Sequence, residues 1–207
     1  MTMRKYFSIF PLLASLFILC ACSENDEVNE FDNWQAQNQH YVDSIAQLAD
    51  AGKDGWTKVL AFTLVSKEPR TDFNNNQYIY IQKLENGTGT YHPQYNDSIR
   101  VHYMGRLIPS SSYSQGYIFG KSYSTYAFNE KVDVPTLMAV KQNVTGFATA
   151  TMHMVEGDHW KLVIPYKLGY GDTEYTSAKI PGYSTLIFDV KLARVYKYRV
   201  DTNTAWY

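Results

Sequence analysis

The side chains of this 207-residue chain that could do chemistry are few in kind. Phenols and benzyl groups dominate, with 18 Tyr and 10 Phe. Their chemistry is non-covalent: clustered rings exclude water and grip apolar groups, and a buried phenol must find a partner for its hydroxyl. The groups that make and break bonds are missing or scattered. No Gly-x-Ser-x-Gly elbow, dinucleotide-binding glycine fingerprint, phosphate loop or His-Glu-x-x-His motif occurs. The five histidines, His40, His92, His102, His153 and His159, stand at no metal-ligand spacing to one another. The only cysteines, Cys20 and Cys22, lie near the start, which excludes a disulfide scaffold and a Cys-based zinc site. No metal and no cofactor are therefore expected. His102 alternates with apolar neighbours in Ile99-Arg100-Val101-His102-Tyr103, so its side chain is expected to face solvent. Gly87-Thr88-Gly89 is too short to mean phosphate binding and reads as a turn.

The order of the remaining pieces is more informative than any one of them. After the apolar run from residue 78 come Glu85-Asn86-Gly87-Thr88-Gly89, Pro93, Asp97, Val101-His102-Tyr103-Met104-Gly105 and Phe119-Gly120-Lys121-Ser122. Then follow Val144-Thr145-Gly146-Phe147, Glu156-Gly157, Ile164-Pro165, Gly169-Tyr170-Gly171, Ile180-Pro181 and Phe188-Asp189-Val190. Over residues 78–196 this succession resembles the FKBP-type peptidyl-prolyl cis-trans isomerase domain. The resemblance implies an α+β fold, an antiparallel half-barrel sheet wrapped over one short helix with an apolar pocket between them. It implies that Tyr103, Tyr170 and the backbone N–H of Val144 serve the reaction. It implies that Phe119, Phe128, Phe147, Ile180 and Phe188 bind substrate. For Phe119, Phe147 and Phe188, packing in the core is an equally good account.

The sequence also departs from the pattern. The family usually has Asp directly after the phenylalanine of the F-x-x-S motif, where this chain has Gly120. The resemblance gives that Asp a hydrogen bond from the pocket tyrosine, so Tyr103 is expected to lack its partner and activity to be weakened. The stretch between Leu107 and Phe119 is long and rich in Ser and Tyr, residues 171–180 carry Glu174, Tyr175 and Lys179, and Asn143 replaces a frequent aliphatic.

The elements that must position these residues can be read from periodicity. Residues 99–103, 160–164 and 186–192 alternate and predict strands of an antiparallel sheet with one wet face, with Leu186, Phe188, Val190 and Leu192 as an inward set. Residues 59–65 and 78–84 predict two more strands. Val144, Phe147, Thr151 and Met154 fall at helical spacing, but the threonines make a weak helix that packing must hold. Residues 34–51 form a helix with Trp34, Tyr41, Ile45 and Leu48 on one face, stopped by Gly52 and Gly55. That stripe offers either a homodimer contact or, preferably, packing on the chain's own domain.

Nineteen basic against 20 acidic residues give a net charge of −1, which argues against a nucleic-acid partner. At the start, Arg4 and Lys5 precede an apolar run that ends in Leu19-Cys20-Ala21-Cys22. This reads as a secretory leader and resembles a bacterial lipobox, with residues 1–21 removed and Cys22 lipidated. The acidic tether that follows resembles the surface-export signals of some Bacteroidota lipoproteins, though a solvated spacer is the preferred account. The expected organisation is a leader over 1–21, a tether over 22–33, a helix and extension over 34–77, the FKBP-like domain over 78–196 and a tail over 197–207. The expected protein is an envelope isomerase, anchored to a membrane by its lipid on the periplasmic or surface face of the outer membrane. It would act on proline-containing segments of exported proteins. The alternative is a weak or inactive module of the same fold that binds a peptide or glycan.

Overall fold

The computed structural model describes residues 30–65, 70–123, 128–129 and 132–198. The leader over 1–21, the lipid site Cys22, most of the tether and nearly all of the tail lie outside the described residues. Among the described residues seven strands form: β1 Trp56–Leu60, β2 Tyr78–Glu85, β3 Ser98–Arg106, β4 Ile118–Lys121, β5 Thr136–Ala139, β6 His159–Ile164 and β7 Leu186–Tyr196. Every pairing is antiparallel. The strand order is β1-β2-β6-β7-β3-β4, with β5 beside β4 on the edge of β3. With helices α1 Trp34–Asp50 and α2 Thr145–Thr151, the fold is α+β, a sheet over a short helix as the resemblance implies.

Helix α2 is buried from Gly146 to Thr151. Its threonine hydroxyls bond within the helix, Thr149 Oγ1 donating to Thr145 O at 2.7 Å and Thr151 Oγ1 to Phe147 O at 3.1 Å. Such back-bonds satisfy the hydroxyls but add little helix stability, so tertiary packing holds the helix. Gly146 permits that packing. A Cβ there would meet Ile164 Cγ2 of β6 at 2.3 Å, so any side chain would push the helix off the sheet.

Helix α1 covers the other face. Its buried positions are Trp34, Asn38, Val42, Ile45 and Ala46, while Tyr41 and Leu48 sit half-buried at the margin of the stripe. Two polar contacts fix it to the start of β7: Trp34 Nε1 donates to Ser184 Oγ at 2.9 Å, and Thr185 N–H donates to Asn38 Oδ1 at 2.7 Å. The apolar stripe is thus used within the chain, and Gly52, with φ of 59°, follows where the helix stops.

Three local expectations are corrected. Residues 59–65 are not one strand. Pairing of β1 with β2 ends at Leu60 opposite Tyr78, and residues 62–64 turn so that Phe62 N–H reaches Thr149 Oγ1 of α2 at 3.3 Å. Contact with the helix overrides strand propensity there. The face away from α2 is wet only in part: Lys161, Asp189 and Lys191 alternate outward with buried Trp160, Val190 and Leu192, while α1 and the rings of Tyr123 and Phe128 cover other parts of it. His102 accordingly is 5% exposed rather than solvated, with its ring 4.2 Å from that of Phe128. Gly87 and Gly89 form a close packing site, their N–H groups donating to Asp158 Oδ1 at 2.8 Å and to Glu156 O at 3.0 Å.

Candidate active site

The α2 side of the sheet gathers aromatic residues from four elements around Phe188 of β7. The Phe188 ring lies 5.1 Å from Phe147 of α2, 5.3 Å from Phe119 of β4 and 6.4 Å from Tyr103 of β3, each pair tilted or edge-on. These are favourable aromatic geometries. Gly105 makes the gathering possible, since a Cβ there would fall 2.4 Å from Phe119 Cε2 and 2.8 Å from Phe188 Cε1. The serine of the F-x-x-S motif locks β4 to β3: Tyr103 N–H donates to Ser122 Oγ at 2.8 Å, and Ser122 N–H donates to Tyr103 O at 2.9 Å.

These rings line a cleft of about 270 Å³, whose rim is made by Met138 of β5, Gln142, Asn143, Val144 and the loop residues Tyr170, Tyr175 and Ala178. No lining residue carries a formal charge. The cleft therefore suits an apolar group and offers no carboxylate or histidine for proton transfer.

Polar groups stand at the rim. Val144 directly precedes α2, and its C=O accepts the Ala148 N–H at 3.0 Å. Among the described residues its own N–H has no acceptor. Asn143 braces the preceding turn by donating from Nδ2 to Ala139 O at 2.8 Å. The Tyr170 ring stacks on Tyr175 at 4.3 Å and 7°. Burial, with lesser contributions from Tyr175 and Tyr103, pushes the Tyr170 phenol above its ordinary value, so it stays protonated and able to donate at neutral pH. Backbone bonds between Tyr175 and Ile180, at 2.9 and 3.2 Å, close the loop that carries the stack.

Gly120 of β4 stands beside the Tyr103 ring of the neighbouring strand β3. A Cβ at 120 would be 3.5 Å from Tyr103 Oη, and the hydroxyl has no hydrogen-bond partner among the described residues.

Of the residues expected in the site, Tyr103, Phe119, Val144, Phe147, Tyr170 and Phe188 line this one cleft. Two do not. Phe128 packs on His102 and Tyr123 on the far side of the sheet; Tyr103 points into the cleft, so its strand neighbour His102 and that residue's partner point away. Ile180 is fully buried beneath the loop and presents no surface to a ligand. Met138, Gln142 and Ala178 carry no signal in the motif pattern. Tyr175 and Asn143 enter it only as departures from the family pattern. A larger hollow of about 640 Å³, bounded by Phe31, Tyr113, Tyr117 and Pro181, shares the 171–182 loop but none of the expected site residues.

The comparisons agree with this geometry. The family model described as FKBP-type peptidyl-prolyl cis-trans isomerase matches residues 89–193. The macrophage infectivity potentiator of Trypanosoma cruzi is 33% identical over 117 residues, covering 56% of this chain and 53% of that protein. The FKBP-type 22 kDa peptidyl-prolyl cis-trans isomerase of Escherichia coli K12 is 35% identical over 103 residues, covering 50% and 43%. The chain thus spans about half the length of the curated relatives it matches. Among solved structures, FkpA from Escherichia coli aligns with a TM-score of 0.54 at 26% identity, covering 82% of this chain and 62% of that one. A peptidyl-prolyl cis-trans isomerase from Pseudomonas syringae aligns with a TM-score of 0.55 at 22% identity over 80% and 95%, a likeness of fold. With half of its length matched by the family model and the aromatic cleft in place, the chain belongs to the FKBP-type peptidyl-prolyl cis-trans isomerase family.

Proposed function

We propose that this protein is a peptidyl-prolyl cis-trans isomerase of the cell envelope that assists folding of exported proteins and is held to a membrane by a lipid on Cys22. The reading is carried by the uncharged aromatic cleft with two donors at its rim that have no acceptor among the described residues, the Val144 N–H and the Tyr170 hydroxyl. Rotation about a prolyl peptide bond meets a barrier of about 18–20 kcal/mol, which reflects lost amide resonance. The twisted amide is less polar than the planar one. A dry cleft that accepts the prolyl ring strips water from the planar, polar ground state. Donors aimed at the flanking carbonyls then favour the twisted state, and interactions stronger in that state are the ones that accelerate the reaction. A preference of about 4 kcal/mol gives about a thousandfold. No nucleophile, base, metal or cofactor is required.

The test is cis-trans exchange of a Phe-Pro or Leu-Pro tetrapeptide, and an unchanged rate at micromolar protein would overturn the isomerase reading. Gly120 favours a second reading, a module that binds a peptide or glycan with little turnover. That reading expects saturable binding of the same peptide with no rate effect. The anchor is tested separately. Cys22→Ser should release the protein from membranes, and mass spectrometry of the native protein should find acyl groups on a chain beginning at Cys22; release without such a mass would refute the anchor.

A further inference from the structure

Among the described residues strand β5 pairs with β3 alone and so forms an edge, and its Met138 lines the cleft. Met138 stands opposite Ile99, Thr136 opposite Val101, and Val140 N–H donates to Asp97 O at 3.0 Å in the same register. Hydrogen-bonding groups alternate in direction along an antiparallel strand, so Leu137 and Ala139 turn theirs away from β3. Asn143 Nδ2 takes the outward Ala139 O. The Leu137 N–H and C=O and the Ala139 N–H have no partner among the described residues.

Proteins usually blunt such an edge with lysine, proline or a covering segment. Pro135 stands at the start of this edge, but within and beside the strand the aliphatic side chains of Val134 and Leu137 are open, 70% and 56% exposed. Met138 of this strand lines the cleft, and residues 142–144 continue the lining as far as the free Val144 N–H. Leu137 points to the face opposite Met138, so an added strand would meet the cleft with one set of its alternate side chains and Leu137 with the other.

The partner that fits is an extended polypeptide with apolar side chains. A segment containing proline arrives partly prepared, because proline restricts its preceding residue to extended conformations. We propose that a client whose proline occupies the cleft adds its flanking residues to β5 as an extra strand. Its backbone bonds to Leu137 and Ala139, and its apolar side chains rest on Val134 and Leu137. The inference rests on the cleft being the prolyl site. A flank of about four residues, at about 3.3 Å each, matches the length of β5. Strand addition of this kind draws affinity from main-chain bonds and selectivity from alternate side chains. It makes the protein selective for unfolded apolar segments rather than for proline alone.

The experiment compares two substrates with one Phe-Pro core, a tetrapeptide and a twelve-residue peptide with Val- and Ile-rich flanks. The long peptide should show a KM about tenfold lower, from a few added hydrogen bonds and side-chain pairs. The double substitution Val134→Lys with Leu137→Lys should erase that gain and leave tetrapeptide turnover unchanged. Hydrogen exchange should show protection of the Leu137 and Ala139 amides with the long peptide only. Equal KM values for the two wild-type substrates, or an equal loss for both in the variant, would overturn the strand-addition proposal. A wild-type dimer that Leu137→Lys splits would also overturn it, by making the occupant a second copy. If neither peptide is turned over, the isomerase reading fails, while long-peptide protection of the same two amides would still support strand addition.

Discussion

Replacing Gly120 with aspartate places a carboxylate where the cleft has none. The Cβ would stand 3.5 Å from both Tyr103 Oη and Cε2, an ordinary contact, so the backbone need not move. One more carbon brings a carboxylate oxygen within the 2.5–2.7 Å or so of a charge-assisted O–H···O⁻ bond. Such a bond is worth about 1.5–3 kcal/mol when buried. Tyr103 is half-buried, so screening leaves about 1 kcal/mol. Spent in orienting the phenol toward the twisted amide, that amount raises kcat/KM about fivefold. The assay is exchange of a Phe-Pro tetrapeptide followed by NMR, with a thermal melt to show that the fold is intact. In the Gly120→Asp background, Tyr103→Phe should cancel the gain, since the coupling belongs to the pair. Gly120→Asn should give less, because a neutral acceptor bonds more weakly. A folded Gly120→Asp variant with an unchanged rate would refute the claim that residue 120 limits this site.

Three further outcomes follow from contacts already described. Tyr175→Ala removes a stack worth about 0.5–1.5 kcal/mol and frees the Tyr170 ring; kcat/KM for a Leu-Pro peptide should fall about threefold, and steady-state kinetics would show it. Asn38→Ala leaves the Thr185 N–H without its acceptor and should cost about 1–3 kcal/mol, seen as a lower urea midpoint with an unchanged slope. His159 is held above its ordinary value, chiefly by the hydrogen bond from its ring to Asp189 at 2.6 Å, with Glu85 3.7 Å away. The unfolded ring titrates near about 6.5. Its contribution is full below that pH and is lost as pH rises through the higher folded value. The melting temperature should therefore decline as pH rises above about 6.5, and His159→Gln should flatten that decline.

Much of this arrangement was readable from residue order. Alternation located β3, β6 and β7, and the inward set Leu186, Phe188, Val190 and Leu192 is buried. The motifs carried Tyr103, Phe119, Phe147 and Phe188 into one cleft because each sits at a fixed place on a regular element, where spacing determines direction, and Val144 directly precedes such an element while Tyr170 lies in a loop. The failures share a cause. Phe128 and Ile180 belong to connecting segments, where sequence distance says little about direction. The solvent-facing reading of His102 assumed an uncovered sheet, and the ring covering it is contributed from 26 positions further on. The role of Tyr175 depends on closure of the 171–180 loop by two backbone bonds, which leave no periodic trace. The helical stripe of α1 was correct in extent but displaced toward Asn38 and Val42, because Asn38 is drawn inward to serve the Thr185 amide.

The clasp between α1 and residues 184–185 has a mechanical consequence. Thr185 leads directly into β7, and Phe188 follows three positions later at the centre of the aromatic cluster. Traction applied ahead of Trp34 enters the molecule through Trp34 and Asn38 and is delivered to the root of the strand that carries Phe188. A fragment trimmed to the family-matched stretch would lose the Asn38 acceptor, strands β1 and β2, and with β2 the neighbour of β6. The N-terminal helix is thereby tied to the strand that carries Phe188, so a pull on the chain ahead of Trp34 is transmitted toward the cleft.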